Sequence, residues 1–382
     1  MSAVRIIDAV ELPYVRQSEH STAELISQAL LQLSQQVGIS LKEIDGLGVA
    51  SFSLAPDRAI DIAWQLSMEL SWMQDDNNGG VSGLNLIQHA CAALETGQAS
   101  VIALVAADSF DKESFQKLIT AYNSTTQNYL APIGAASPNM LFSLLTKQHQ
   151  QAYGLEREDY GHLVLQQRRW AQANDKALYR SPLSMDDYLN ARPVSDVLGI
   201  YDCVPIAAGA NALLLVRDDH PLVQQNRTVG IRALQSKHNY DKQTGSGLQT
   251  GLSQIAERLW QQADLAPTDM DLCAVYDDYP VMVLAQLEDL GFFSKDNIQS
   301  FIRTKIATQQ FKLNTSGGQL SCGQAGTAGS LLGVVETVKQ LKQQAGSRQL
   351  EQAQFGLVTG YGMVQYRYCM CAAALVLEAI DA

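Results

Sequence analysis

A chain that writes one secondary-structure formula twice is constrained to fold as two similar halves, and this chain does so. Residues 22–52 contain the helix pattern TAELISQALLQLSQQVG, an ISLKEID turn and the apolar run GLGVASF. Residues 250–279 repeat the order with TGLSQIAERLWQQADL, APTDMD and LCAVYDDY. Apolar residues recur at three- and four-residue steps in both helices, and both strands are continuous buried-type runs. The stretch that follows is also duplicated. Asn78–Gly79–Gly80–Val81–Ser82–Gly83 opens LNLIQHACAALETG before the strand SVIALVAADS, and Ser316–Gly317–Gly318 precedes AGSLLGVVETVKQLKQQAG and FGLVTGYG. Two copies of helix–strand–glycine turn–helix–strand imply a pseudo-duplicated α/β protein. A glycine turn before a small-residue helix lets two backbones approach and aims helix N-terminal amides at one point.

Residues 111–200 break the repeat. They hold polar helical segments such as EREDYGHLVLQQRRWAQAND and the looping SPLSMDDYLNARPVSD, and NALLLV at 211–216 returns to the sheet. The expected organisation is therefore a first half of residues 1–110 plus 201–222, an inserted loop domain of 111–200 that caps a site, and a second half of 223–382. With 382 residues, 46% hydrophobic, the chain can bury a large core. A formal net charge of −12 argues against nucleic-acid binding, which needs a cationic surface. The N-terminal MSAVRIIDAVELPYVRQ lacks the apolar run of a signal peptide, and no window of about 18 apolar residues suggests a membrane span. Cys91, Cys203, Cys273, Cys322, Cys369 and Cys371 are dispersed and form no metal spacing, which fits a reducing cytoplasm.

Four stretches carry a family resemblance: NGGVSGLNLIQHACAALETG, ARPVSDVLGIYDCVPIAAGANALLLV, VYDDYPVMVLAQLEDLGFF, and NTSGGQLSCGQAGTAG with QFGLVTGYGM. In that order they resemble the thiolase superfamily, on the branch that includes the thiolase domain of sterol-carrier-type proteins. The resemblance implies a five-layer αβαβα fold and a coenzyme A thioester as substrate or ligand, with no bound cofactor. The active positions of the family depart from its pattern here. The nucleophilic cysteine of C-x-[ST]-G falls on Gly80, with Ser82 and Gly83 completing the turn; the G-H-P histidine falls on Gln324. The asparagine of N-E-A-F falls on Tyr276, and the cysteine of C-x-G on Val358. Without a thiolate and an imidazole to tune it, the usual acyl-cysteine route has no nucleophile at this place.

A related reaction needs neither. Cleavage of a β-hydroxyacyl-CoA by retro-aldol chemistry requires a base for the hydroxyl proton and stabilisation of the CoA enolate. Tyr276, Asp277 and Asp278 end a strand at the carboxyl edge of the sheet and supply a tyrosine or an aspartate for the base; their other role is to end the strand and cap a turn. Backbone amides near Gly318 and Gly362 are the candidates for holding the enolate oxygen. Cys322 is a candidate substitute nucleophile or a small buried filler. Gln324 either donates to the thioester oxygen or fills the space of a histidine, and Tyr361 walls the pocket. Arg168, Arg169, Lys176 and Arg180 form the densest basic stretch, and the resemblance sets coenzyme A phosphates against it; a solvated helix face is the alternative. His89 is expected in the core, and His162 has no partner motif. The resemblance further implies a homodimer built on the first-half sheet and a small OB-fold, zinc-ribbon partner. Two functions remain: a lyase or acyltransferase-like enzyme acting on a CoA thioester, or a catalytically silent subunit that binds acyl-CoA or scaffolds such a partner.

Overall fold

The computed structural model describes residues 3–225, 227–240, 245–365 and 368–380. The first half runs β1 (Val4–Glu11), α1 (Thr22–Val37), β2 (Gly46–Ala50), α2 (Ala59–Gln65), β3 (Trp72–Asp76), α3 (Ser82–Glu95) and β4 (Val101–Asp108). Four helices then intervene: α4 (Lys112–Thr120), α5 (Pro138–Tyr153), α6 (Arg157–Gln172) and α7 (Met185–Leu189). Strand β5 (Gly209–Arg217) returns to the sheet and α8 (Pro221–Gln224) leads out of it. The second half repeats the plan with β6 (Thr228–His238), α9 (Ala256–Ala263), β7 (Leu272–Ala274), α10 (Pro280–Asp289), α11 (Ile298–Phe301), α12 (Gly318–Cys322), α13 (Gly329–Leu341), β8 (Phe355–Gln365) and β9 (Tyr368–Ile380).

The nine strands form one sheet in the order β3-β2-β4-β5-β1-β6-β9-β8-β7. It is symmetric about the β1–β6 junction, where Arg5 pairs with Gly230 and Ile6 with Val229. In each half the strands before and after the glycine turn pair in parallel, β2 with β4 and β7 with β8. The second-half counterpart of β3 is reduced to a single bridge between Cys273 and Leu313.

Three apolar clusters make the layers. One packs α1 and α2 against one face of the first-half strands through Ile26, Leu30, Leu47 and Leu214. Another packs α9 and α10 against the outer face of the second half through Leu259, Leu284 and Val376. Between the halves lie α3 and α13, both buried, with Leu84, Ile87, Val334 and Val338 meeting Ile102, Leu213 and Leu375. The layer order is helices, first-half strands, helices, second-half strands, helices, the two strand layers being halves of the one continuous sheet. The two central helices approach closely because the sequence is small there. The Gly83 amide donates to Ser330 Oγ at 2.9 Å, and a Cβ on Gly83 would stand 2.8 Å from the Ser330 carbonyl oxygen. Helix α1 starts where Ser21 Oγ accepts from Glu24 N while Glu24 Oε2 accepts from Ser21 N at 2.7 Å, a capping box worth about 1 kcal/mol. It stops at Gly38, whose φ of 80° suits glycine.

The run between β4 and β5 leaves the first half but packs on the second. Phe142, Leu145, Leu155 and Leu163 share a cluster with Met282, Leu284 and Ile302. Helix α5 thereby stands beside the end of β7, with the Phe142 ring stacked on Tyr279 at 4.2 Å. Among the described residues no helix is long and apolar enough to cross a membrane, and all six cysteines are free.

Candidate active site

The expected strand LCAVYDDY is shorter than its apolar run suggests: only Leu272–Ala274 is strand. Side chains take over the ladder beyond it. Asn314 Oδ1 accepts from Val275 N at 2.7 Å and its Nδ2 donates to Val275 O at 2.9 Å. Thr359 Oγ1 accepts from Tyr276 N at 3.1 Å, and Gln286 Nε2 donates to Tyr276 O at 2.8 Å. Tyr276 is thus held rigidly by its backbone just past the strand's carboxyl end. Its ring enters a cavity of about 230 Å³ between the two halves.

Gly80, Tyr276, Asp278, Gln324, Tyr361 and Gly362 all line this cavity. The inserted run covers it with Phe115, Leu118 and Ile119 of α4 and with Leu141 and Phe142 of α5. The enclosure is mostly apolar with a few convergent polar groups, the usual make-up of a small-molecule site.

Position 80 is closed by Tyr276. A Cβ on Gly80 would fall inside the Tyr276 ring and against the Tyr361 carbonyl oxygen. Gly79 has φ +69°, and a Cβ there would stand 3.6 Å from Gly362 Cα. Tyr276 meets Tyr361 edge-on at 5.0 Å, and Gln324 Nε2 donates to its hydroxyl at 3.3 Å. Burial, and then the charge of Asp278, raise the phenol far above its ordinary range, so Tyr276 remains protonated.

The adjacent aspartates do different things. Asp277 turns away from the large cavity: Oδ1 accepts from Gln319 N at 2.9 Å and Oδ2 from Leu320 N at 3.2 Å, capping α12. Burial lifts it to about 7 against those two bonds. Asp278 faces the large cavity, and its buried Oδ1 has no hydrogen-bond partner among the described residues. Burial first, and Asp277 second, push its carboxyl well above the ordinary range.

Other expected site residues lie elsewhere. Cys322 is fully buried, donates from Sγ to Ser316 O at 3.2 Å, and does not line the cavity; burial raises its thiol strongly. This corrects the reading of Cys322 as a cleft-facing nucleophile. The cysteine that lines the cavity is Cys203, pushed up to about 12 by burial and then by Asp202 and Asp278, so it is a neutral thiol. Nothing in its run Asp202–Cys203–Val204–Pro205 marks it in sequence, because the return of the chain from the insertion puts it there. The Gly318 amide is occupied by Ser316 Oγ at 3.2 Å and sits outside the cavity, whereas Gly362 lines it.

The basic stretch does not converge on the cavity either. Arg168 is buried; its Nε donates to Ser321 Oγ at 3.0 Å, and its guanidinium lies over Tyr179 and Tyr201. Arg169 and Arg180 are exposed, and Lys176 Nζ donates to Glu11 O. His89 is exposed on α3 rather than in the core, because Gln88 and His89 occupy the outward stripe of that helix. His162 is half-buried, and burial lowers its pKa.

Sequence reasoning missed Asp108, which holds the site's frame together. At the end of β4 its Oδ1 accepts from Ser51 Oγ, Phe52 N and Ser53 N, and its Oδ2 accepts from Thr327 N at 2.7 Å. One carboxylate therefore ties the first-half loop carrying Phe52 to the second-half loop carrying Gln324. Its only sequence signal is an acidic residue ending an apolar strand.

This layered, duplicated architecture with its cavity at the strand ends is the thiolase fold. Residues 233–378 match the family model described as thiolase C-terminal domain-like. The chain is 27% identical to the 17-hydroxy-3-oxo-4-pregnene-20-carboxyl-CoA lyase of Mycobacterium tuberculosis, over 86% of this chain and 89% of that protein. It is 26% identical to the steroid side-chain-cleaving aldolase of Thermomonospora curvata, over 89% of this chain and 90% of that one. The solved Ltp2-ChsH2(DUF35) aldolase superposes with a TM-score of 0.86 at 23% identity, covering 98% of this chain and 97% of that chain. Residues 233–378 are thus thiolase C-terminal domain-like, and the chain as a whole is similar to thiolase-fold proteins of the sterol-carrier-type branch.

Proposed function

We propose that this protein is a CoA-ester lyase that cleaves the Cα–Cβ bond of a β-hydroxyacyl-CoA by retro-aldol chemistry, without an acyl-cysteine. One observation carries the reading. Position 80 is packed beneath the Tyr276 ring, while Tyr276 and Asp278 line the same cavity and Asp278 Oδ1 has no hydrogen-bond partner among the described residues. A nucleophile at 80 and Tyr276 in its present place exclude each other. The lyase and aldolase names of the relatives support the same chemistry.

The Asp278 carboxylate takes the proton of the β-hydroxyl. The oxygen's electron pair forms the new carbonyl, the Cα–Cβ bond breaks, and its electrons pass into the thioester enolate. Tyr276, kept protonated by burial, donates to the enolate and protonates Cα. The proton held by Asp278 then returns to the phenolate, leaving a carbonyl product and a shortened CoA ester. An aspartate whose pKa burial raises is a stronger base than an exposed one, and a high phenol pKa suits the donor. This chooses Asp278 over Tyr276 as base and gives Asp277 the capping role. Gln324 reads as a donor to the thioester oxygen and Tyr361 as a wall. Coenzyme A enters as part of the substrate, not as a resident group. Residues 111–200 act as the cap of the site.

We also read the protein as a homodimer of the cytoplasm that works with a small OB-fold, zinc-ribbon protein. The named partner in the solved Ltp2-ChsH2(DUF35) complex supports a second protein, and the six free cysteines fit a reducing compartment.

The test is incubation of purified protein, alone and with an OB-fold partner, with 3-hydroxyacyl- and 3-ketoacyl-CoAs while products and intact protein mass are followed. A carbonyl product plus a shortened CoA ester, with unmodified protein, is expected. An acyl adduct on Cys203 or Cys322 would overturn the reading. Binding without turnover in every combination would instead make the chain a silent, acyl-CoA-binding subunit.

A further inference from the structure

The turn Gly317–Gly318–Gln319 opens α12, and Gln319 carries the side chain that the local fold leaves unsatisfied. Its backbone amide serves Asp277, but the side chain is 1% exposed and, among the described residues, neither Oε1 nor Nε2 is within hydrogen-bond geometry of a partner, although the amide lies close enough to Tyr276 and Asp277 to act on both. An amide buried in that state is destabilising, a cost that an apolar residue of the same size would avoid. The side chain lines a second cavity of about 20 Å³, room for a single water, bounded also by Tyr276, Asp277, Ser316 and Thr359. Gly329 opens this space. A Cβ there would overlap the Gln319 amide oxygen and stand 3.7 Å from the Tyr276 hydroxyl. The phenol is therefore flanked by two glutamines, Gln324 at 3.3 Å in the large cavity and Gln319 on the interior side.

We propose that Gln319 is a positioning residue for Tyr276, donating from its amide toward the phenol oxygen so that the O–H is turned into the large cavity. Donors on both sides of that oxygen leave the phenol's own hydrogen as the group presented to substrate. They also stabilise the phenolate that proton transfer creates, and the Gln319 amide acts against the upward push of burial on Tyr276. This role explains why a polar side chain is kept where an apolar one would pack at less cost. It rests on the lyase reading above.

The test is the near-isosteric Gln319→Met variant of the full chain, with Gln319→Leu as a second replacement. Wild-type and variant proteins are compared for kcat and KM on a 3-hydroxyacyl-CoA and for Tm. Loss of one such hydrogen bond in the transition state is expected to lower kcat about tenfold with KM within about twofold. Tm should hold, since the side chain has no structural hydrogen bond to other described residues to lose. Unchanged kcat in both variants would overturn the inference while leaving the lyase reading intact. So would a fall in kcat accompanied by lower Tm and raised KM, the mark of a merely structural residue. A wild-type protein that cleaves no 3-hydroxyacyl-CoA would overturn both.

Discussion

At the scale of single residues, the site is a competition for one small volume. Gly80 has no side chain and Tyr276 fills the place it leaves, so the two positions must be read together. Tyr276→Phe keeps the ring and removes a hydroxyl whose described hydrogen bond is 3.3 Å long. Folding should be preserved while turnover of a 3-hydroxyacyl-CoA falls about 10²- to 10³-fold, the loss typical of one transition-state donor. Steady-state kinetics alongside a thermal melt would check this; unchanged turnover removes Tyr276 from the mechanism. Asp278 carries a pH prediction. The base must be ionised, and its pKa lies above the ordinary carboxylate range. Rate should therefore be lost as pH falls through that raised value, at a higher pH than an exposed aspartate would give. Asp278→Asn should lower kcat by about 10²- to 10⁴-fold and remove that acid limb, as a pH–rate profile would show.

At the scale of elements, the site is held by polar ties between segments far apart in sequence. Asp108 joins the loops after β2 and before α13, so Asp108→Ala should leave several buried donors without a partner. A loss of several kcal/mol is expected, with turnover falling as the loop carrying Gln324 drifts; denaturant unfolding would measure it. Helix α13 has a second tie, in which Glu336 Oε2 accepts from Arg348 Nη2 at 2.8 Å in the core. Burial opposes the ionised Glu336, but Arg348 and the Gln340 and Thr315 hydrogen bonds hold its pKa below the usual value. The stability it contributes is therefore present above the unfolded pKa of about 4 and is lost as pH falls through the depressed folded value. Arg348→Met leaves that carboxylate unpaired and should cost about 3–5 kcal/mol near neutral pH. The folded pKa would then be raised, so the variant should regain stability as pH falls, the reverse of the parent. Melts between pH 4 and about 8 would separate the two signs.

At the scale of the whole molecule, the open edge of the sheet is β3, which pairs with β2 on one side and exposes Met73. A second copy on that edge is the expected homodimer, and Met73→Lys should shift sedimentation toward monomer; an unchanged dimer would place the interface elsewhere. The layered fold was legible in the chain because period and glycine placement are local properties. Each half had to bury an amphipathic helix outside its strands and a nearly all-apolar helix between them, and the two copies fell into register about β1 and β6. The positions Gly80, Tyr276, Gln324, Tyr361 and Gly362, singled out by their motifs, line one cavity, Tyr361 and Gly362 from within β8. What could not be read was side-chain direction beyond those elements. Asp277 and Asp278 are neighbours in sequence, yet one caps α12 and the other faces the cavity. Cys203 rather than Cys322 reaches that cavity, and Arg168 is buried against Ser321. These outcomes depend on where a run of about a hundred residues between β4 and β5 comes to rest. A large part of its apolar surface packs on the second half, although the chain leaves and rejoins the first. By itself, then, the sequence determined the two halves, their shared layers and the absence of a nucleophile side chain at position 80. The tertiary structure alone decided which polar groups share the cavity, because long-range packing sets their direction and burial.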